Sequence, residues 1–141
     1  MKIELYDKGA KRRPWYEKDI VPFIRITKGY IWIISSKVCQ DLKLETNSFL
    51  NFTVIEGVPY LVIPNTPDTQ RDLLLNMGST HGRKDHSKKF CCTHLKRWLF
   101  SKLGIPMPDK ALFTVDTASF ITAENCKLYR MTLKEENEVK V

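Results

Sequence analysis

One segment near the middle of the chain concentrates side chains that could bind a metal ion or act as nucleophiles. A tetrahedral zinc site usually takes two pairs of ligands, with about two to four residues between the members of a pair. The spacing in this segment gives no such arrangement, and strand alternation would point its two adjacent cysteines to opposite faces. We therefore expect no metal ion and no other cofactor. The residues concerned are His81, His86, Cys91, Cys92 and His94.

The same residues do not predict an enzyme. A catalytic cysteine needs a histidine beside it, a third group that orients the histidine, and donors for the developing oxyanion. The sequence shows no such set, no glycine-rich loop for a phosphate and no paired-carboxylate motif. We therefore expect a protein that binds and does not catalyse.

Basic residues are the more informative group. The chain has a formal net charge of +7 and a pI near 9.3, and an excess of lysine and arginine favours polyanionic partners because bound phosphates release counterions. The basic residues are grouped in the N-terminal arm (residues 1–20), around Lys28-Gly29 and in a polar stretch at residues 78–89. A merely solvated arm or loop is the alternative. The predicted nucleic-acid-binding residues are Lys11, Arg12, Arg13, Arg25, Lys28, Arg83, Lys84, Lys88 and Lys89.

Two aromatic residues follow the basic cluster of the arm. Trp15 and Tyr16 come directly after Pro14, which favours an extended segment. The cluster could therefore contact a nucleic-acid backbone while a ring stacks on a base. The alternative is that both rings pack on the body of the protein.

Alternation of apolar residues predicts the elements that position these groups. Residues 23–64 read as strand, strand, helix, strand, strand. Turns fall at Lys28-Gly29 and Glu56-Gly57, where a glycine can take a positive φ. The run of residues 31–34 is continuously apolar, so we expect a strand buried on both faces. The helix is predicted near residues 36–42, with Ser35 or Ser36 as its cap and Val38, Leu42 and Cys39 facing inward.

A second helix is predicted over residues 93–103. Its inward stripe combines Leu95 and Leu99 with Leu103 or Trp98. Gly104 suits the left-handed position that ends a helix. The basic residues expected on its solvent-facing side are Lys96, Arg97 and Lys102.

A weaker second copy of the first unit is predicted from a constant offset of 61 residues. The Phe-Thr-Val run at Phe52 aligns without gaps on the Phe-Thr-Val run at Phe113. Residues 60–63 match residues 129–132 if the second hairpin loop is eight residues longer. The alternative is that two helix-to-strand junctions resemble one another by chance. The first two strands of the second copy would be residues 72–77 and 89–92.

The helix and hairpin of the first unit have a distinctive spacing. Apolar residues run from Ile34 through Val38 to Leu44, ahead of a hairpin with Phe52 and Tyr60. This spacing resembles the swapped-hairpin DNA-binding domains of the AbrB and SpoVT type. The chain departs from that family where the family has a proline, an arginine, a glycine and a Gly-Asp turn. The residues at those positions are Ser35, Cys39, Lys43 and Asn47-Ser48.

The resemblance implies an α+β, β-rich fold in which two ββαββ halves interlock into a barrel-like pseudo-dimer. It also implies that the basic ends of the hairpins face DNA. The chain would then consist of a basic N-terminal arm (1–20), two ββαββ units (21–66 and 67–134) and a flexible tail (135–141).

The expected function is binding of nucleic acid, with duplex DNA as the partner and transcriptional regulation as the role. One alternative is a single-stranded DNA or RNA-binding module in which Tyr30 and Trp32 stack bases on an exposed sheet face. Another is a non-enzymatic protein-interaction domain. Four cysteines, no secretory leader and no membrane-spanning run predict a reduced, cytoplasmic protein. The sequence leaves self-association open.

Overall fold

The computed structural model describes residues 21–77 and 87–134, which form ten strands and two helices. Both helices begin and end at the predicted residues. The strands are β1 (Phe23–Ile26), β2 (Ile31–Ile34), β3 (Phe49–Ile55), β4 (Val58–Pro64), β5 (Leu73–Leu74), β6 (Asn76–Met77), β7 (Lys88–Cys91), β8 (Ala111–Val115), β9 (Ile121–Ala123) and β10 (Cys126–Lys134). The helices are α1 (Ser36–Leu42) and α2 (Thr93–Leu103).

The strands form one sheet that nearly closes on itself. Hydrogen-bonded neighbours follow the order β5-β3-β4-β10-β8-β1-β2-β7-β6, and β9 pairs with β10 beside this series. The end strands β5 and β6 are separated along the chain by Leu75 alone. Leu75 N–H donates to Ser48 O, and Asn47 N–H donates to Leu75 O, each at 2.9 Å. The result is a barrel-like, β-rich α+β fold, as the sequence predicted.

Alternate residues of the strands point into the barrel. Trp32 lies 4.9 Å from Phe52 and 5.4 Å from Phe90 in the interior, measured between ring centroids. Ile31 and Ile33, in the same strand as Trp32, are partly exposed. The prediction that β2 is buried on both faces is therefore wrong, because an antiparallel strand can pack on the core with one face only.

The two predicted hairpin turns are present, with one difference in backbone conformation. At the second turn, Glu56 and Gly57 both have positive φ (52° and 79°), as a two-residue hairpin requires. At the first turn the positive φ of 64° belongs to Tyr30 and not to Gly29. Thr27 closes this turn, since its carbonyl accepts from Tyr30 N–H at 3.2 Å.

The ends of the helices follow local sequence signals. Ser35 caps α1, because its hydroxyl accepts from Val38 N–H at 3.3 Å. Helix α1 ends at Lys43 in the left-handed conformation (φ 56°), and α2 ends in the same way at Gly104 (φ 71°). Neither described helix is long and apolar enough to cross a membrane.

Lys96 on α2 is only 2% exposed, so the prediction that it faces solvent is wrong. Its ammonium donates to Asp109 O at 2.7 Å and lies 5.1 Å from the centroid of the Tyr30 ring. Burial lowers the pKa of Lys96 below its usual value. Arg97 and Lys102 are exposed, as predicted.

Strand β10 joins two parts of the sheet. Its first half pairs with β4 and its second half with β8. Leu128 and Tyr129 are adjacent and both buried, so the alternation of buried and exposed residues changes phase between them. The register with β4 continues through both residues, so β10 is covered on both of its faces at this point, with Tyr129 in the core and Leu128 on the outer face.

Candidate nucleic-acid interface

The charged residues of the described strands are all basic. The acidic residues of the described ranges lie in α1, in turns and in loops, and none lies in a strand. Charges of one sign on the same sheet produce a positive surface potential, even where an uncharged strand lies between two charged strands. The strand residues concerned are Arg25, Lys88, Lys89, Lys127, Arg130 and Lys134.

Three of these cations lie in one cross-strand row. Arg25 on β1 pairs with Leu112 on β8 and with Ile33 on β2. Leu112 pairs in turn with Lys134 on β10, and Ile33 pairs with Lys89 on β7. Lys134, Arg25 and Lys89 therefore alternate with apolar residues, each cation about 10 Å from the next. We call these three cations the basic row.

The basic row faces away from the core because of the alternation in β1. Ile24 and Ile26, on either side of Arg25, are fully buried, so Arg25 belongs to the outer face. Its guanidinium lies 5.4 Å from the centroid of the Phe23 ring. A cation over an aromatic face is attracted to the ring, and this contact lays the arginine side chain along the surface.

Lys28 is exposed in the turn that connects β1 to β2. Helix α2 packs against this turn, since Lys96 Nζ lies 3.5 Å from Thr27 O and the Arg97 guanidinium lies 5.9 Å from the centroid of the Tyr30 ring. The tip of the first hairpin therefore has three cations around it, of which Lys28 and Arg97 are exposed.

The predicted residues do not all share one face. Lys88 lies on the opposite face of β7 from Lys89, and its cross-strand partner is the buried Ile34. Arg25 and Lys89 share the basic row, while Lys28 lies at the adjoining turn. The predicted residues outside the described ranges are Lys11, Arg12, Arg13, Arg83 and Lys84, together with Trp15 and Tyr16.

Lys134 belongs to the basic row but was not predicted from the sequence. A signal was present, because Arg130, Thr132 and Lys134 alternate with the apolar residues Met131 and Leu133. That alternation predicts which face Lys134 occupies. It does not reveal that β10 lies two strands away from the strand of Arg25, with β8 between them.

The position of Trp32 contradicts the stacking of bases on Tyr30 and Trp32. The Trp32 side chain has no exposed surface, and its ring stacks on Phe90 with an interplanar angle of 19°. Tyr30 is partly exposed but contacts Lys96. A strand of nucleic acid lying on β2 would therefore find no exposed indole there.

The segment rich in histidine and cysteine is only partly described. Within the described residues, no three His, Cys, Asp or Glu side chains come together as metal ligands. Cys91 is exposed at the end of β7, whereas Cys92 is partly buried. His94 is exposed, and His81 and His86 lie outside the described ranges.

Comparison with known proteins reveals no relative from which a function could be transferred. No protein-family model matches the chain, and no curated protein or solved structure matches it significantly.

Proposed function

We propose that this protein binds duplex DNA through the outer face of β10, β8, β1, β2 and β7, and that it acts as a transcriptional regulator. The observation that carries the proposal is the basic row of Lys134, Arg25 and Lys89 across five consecutive strands. Cations about 10 Å apart are too far apart to bind one small anion together, but each can contact a different phosphate of a backbone.

Local composition strengthens the positive potential of this face. None of its five strands contains an aspartate or glutamate. Leu112 and Ile33 are partly exposed between the cations, where they can pack against the aliphatic stems of lysine and arginine. We therefore expect backbone contacts to dominate, with strong salt dependence and weak preference for sequence.

We further propose that the barrel consists of two related ββαββ halves arranged as a pseudo-dimer. The helix ends support this division. Leu44 N–H donates to Cys39 O at 2.9 Å, and Ile105 N–H donates to Phe100 O at 3.3 Å. Each residue of the second bond lies 61 positions after its counterpart in the first. The left-handed residues that end the helices differ by the same offset.

The order of the strands supports the same division. For this comparison β5 and β6 count as one interrupted strand that closes the barrel. Each strand of the first half can then be exchanged with its counterpart in the second half, and every pair of hydrogen-bonded neighbours is still a pair of neighbours. The counterparts are β1 and β5/β6, β2 and β7, β3 and β8, and β4 and β10. The registers adjust the predicted alignment, because Phe52 pairs with Leu61 and Phe113 pairs with Leu133. Leu61 thus corresponds to Leu133, three residues beyond its predicted counterpart, Arg130.

Titration with salt tests the DNA-binding proposal. The double variant Arg25→Ala/Lys89→Ala is expected to weaken binding to a short duplex of any sequence. It should also reduce the slope of log affinity against log salt by about 1.8, since two phosphate contacts are lost. The matched control Lys37→Ala/Lys102→Ala removes two positive charges from the helices and should change the slope much less.

Two outcomes would contradict the proposal. Equal losses from both double variants would mean diffuse attraction to a basic protein, and no duplex binding near physiological salt would remove the function itself. A parallel titration with a single-stranded oligonucleotide of the same length separates the alternatives. Tighter binding of the single strand would favour the single-stranded binding module instead.

A further inference from the structure

A cleft with a volume of about 480 Å³ lies over the outer face of β3, β4 and β10. Its floor is a cross-strand row of Asn51, Val62 and Leu128 on these three strands. Helix α2 supplies one wall with Leu95 and Trp98. Both the size of the cleft and its mixture of apolar and polar side chains are typical of a small-ligand site. None of its lining residues belongs to the basic row.

Trp98 offers an aromatic surface in this cleft. The residue is 41% exposed, although it is one of the largest apolar side chains. Lys102 Nζ lies 5.9 Å from the centroid of the Trp98 ring, which places a positive charge near the indole. An exposed indole face stacks on flat aromatic ligands, and the nearby cation favours ligands that carry negative charge.

A buried carboxylate holds Arg71 at the cleft. The Asp72 side chain is 1% exposed and accepts from Asp68 N–H at 2.8 Å, from Asn51 Nδ2 at 3.0 Å and from Arg71 Nε at 3.2 Å. Burial alone would raise the pKa of Asp72, but these hydrogen bonds outweigh burial and hold the pKa below its usual value. The carboxylate therefore stays ionised and fixes the position of the guanidinium.

Arg71 remains available to a ligand. Its side chain is 61% exposed, and the contact with Asp72 uses one of the five N–H donors of a guanidinium. The remaining donors form a planar fork that suits a phosphate or a carboxylate.

Glu124 adds a negative charge to the lining of the cleft. It lies in the turn between β9 and β10 and is exposed. Its carboxylate repels an anion that approaches from its side of the cleft. An anionic ligand is thus favoured when its charge lies at Arg71 and away from Glu124.

We propose that the cleft binds an aromatic anion whose ring lies against Trp98 and whose anionic group contacts Arg71. This is the chemistry of a nucleotide, either free or as an unpaired nucleotide within a strand. The proposal is independent of duplex binding by the basic row, because the two surfaces share no residue.

Calorimetric titration with adenosine 5′-monophosphate tests the cleft. We expect saturable binding of this nucleotide. Adenosine, which lacks the phosphate, and ribose 5-phosphate, which lacks the aromatic base, should each bind about tenfold more weakly. Trp98→Ala and Arg71→Gln should each weaken binding of the nucleotide by about tenfold. Glu124→Gln should strengthen it, because a repulsive charge is removed.

Controls separate loss of the site from loss of the fold. Lys37→Ala removes a positive charge on α1, outside the cleft lining, and should leave the affinity for adenosine 5′-monophosphate unchanged. Thermal unfolding of each variant shows whether it is folded. Because Trp98 is half-exposed, Trp98→Ala is expected to fold even if Arg71→Gln does not.

A single-stranded tetranucleotide separates the two sources of the ligand. Tighter binding of the tetranucleotide than of the mononucleotide, with the same loss in Trp98→Ala, would assign the cleft to an unpaired nucleotide of a strand. The reverse order would assign it to a free nucleotide. No binding of either ligand at millimolar concentration, or unchanged binding in a folded Trp98→Ala variant, would overturn the proposal.

Discussion

Trp32 on β2 lies directly opposite Phe90 on β7, with ring centroids 5.4 Å apart and an interplanar angle of 19°. Phe52 contacts both rings, at 4.9 Å and 6.1 Å between centroids. These three residues are far apart in sequence and all buried. In the proposed pseudo-dimer, the Trp32–Phe90 pair lies where the two halves meet.

Truncation of either ring should destabilise the whole barrel. Trp32→Ala and Phe90→Ala are each expected to lower the free energy of unfolding by about 3–5 kcal/mol, because buried aromatic contacts are lost and a cavity is left. Urea unfolding of the single and double variants measures the coupling between the rings. Trp98→Ala is the control, and a comparable loss there would contradict a special role for the buried pair.

The left-handed residues that end the two helices make a matched pair. Lys43 adopts a φ of 56° and Gly104 a φ of 71°, and no atom lies within 4 Å of the position that a Cβ would take at Gly104. Backbone strain alone should therefore decide the effect of substitution. We expect Lys43→Gly to stabilise the protein and Gly104→Lys to destabilise it, each by about 1 kcal/mol. Changes of the same sign in thermal unfolding would contradict the equivalence of the two helix ends.

Lys96 should make stability depend on pH in the alkaline range. Burial lowers its pKa in the folded protein, so the unfolded chain binds more protons as the pH approaches the ordinary lysine pKa of 10.5. The free energy of unfolding of the wild-type protein should therefore rise relative to that of Lys96→Met as the pH is raised towards the ordinary lysine pKa of 10.5. Urea unfolding across this range measures the difference.

The exposed Lys102 provides the control for this measurement. Lys102→Met removes one lysine charge from the same helix but no buried ammonium, so it shows how far the loss of a positive charge alone changes the free energy of unfolding. A pH-independent difference between the wild-type protein and Lys96→Met would contradict the lowered pKa of Lys96.

Arg83 and Lys84 lie outside the described residues, in the part of the sequence that connects β6 to β7. The described residues on either side of that part are paired, Asn76 with Lys89 and Met77 with Lys88, so they lie next to the end of the basic row. Arg83→Ala/Lys84→Ala is expected to weaken binding to any duplex and to reduce the salt slope by about one to two units. The Lys37→Ala/Lys102→Ala variant is again the matched control, and equal effects of the two would contradict a localised site.

The elements of this fold could be predicted where the decisive signal is local. Ser35 as a cap, Gly104 as a helix end and the Glu56-Gly57 turn depend on the backbone preferences of a few neighbouring residues. Period-two alternation likewise identified the strand that contains Arg25 and its outward face. Local backbone preference was misleading at the first turn, where Tyr30 and not Gly29 takes the positive φ.

The basic row required the tertiary structure. Lys134 and Lys89 lie on opposite sides of Arg25 because β10, β8, β1, β2 and β7 are consecutive in the sheet, although they are not consecutive in the sequence. Pairing of strands far apart in sequence is decided by the burial of the whole core, which no single segment encodes.

By itself, the sequence determined the two helices, most of the strands, the β-rich class and the positive charge of this protein, because these follow from composition, periodicity and capping over short distances. Tertiary structure alone decided the near closure at Leu75, the burial of Lys96 and the cleft beside Trp98. The physical reason is that burial depends on which surfaces meet. A lysine whose neighbours in sequence predict exposure is buried when a distant turn packs against it and its ammonium finds the carbonyl of Asp109.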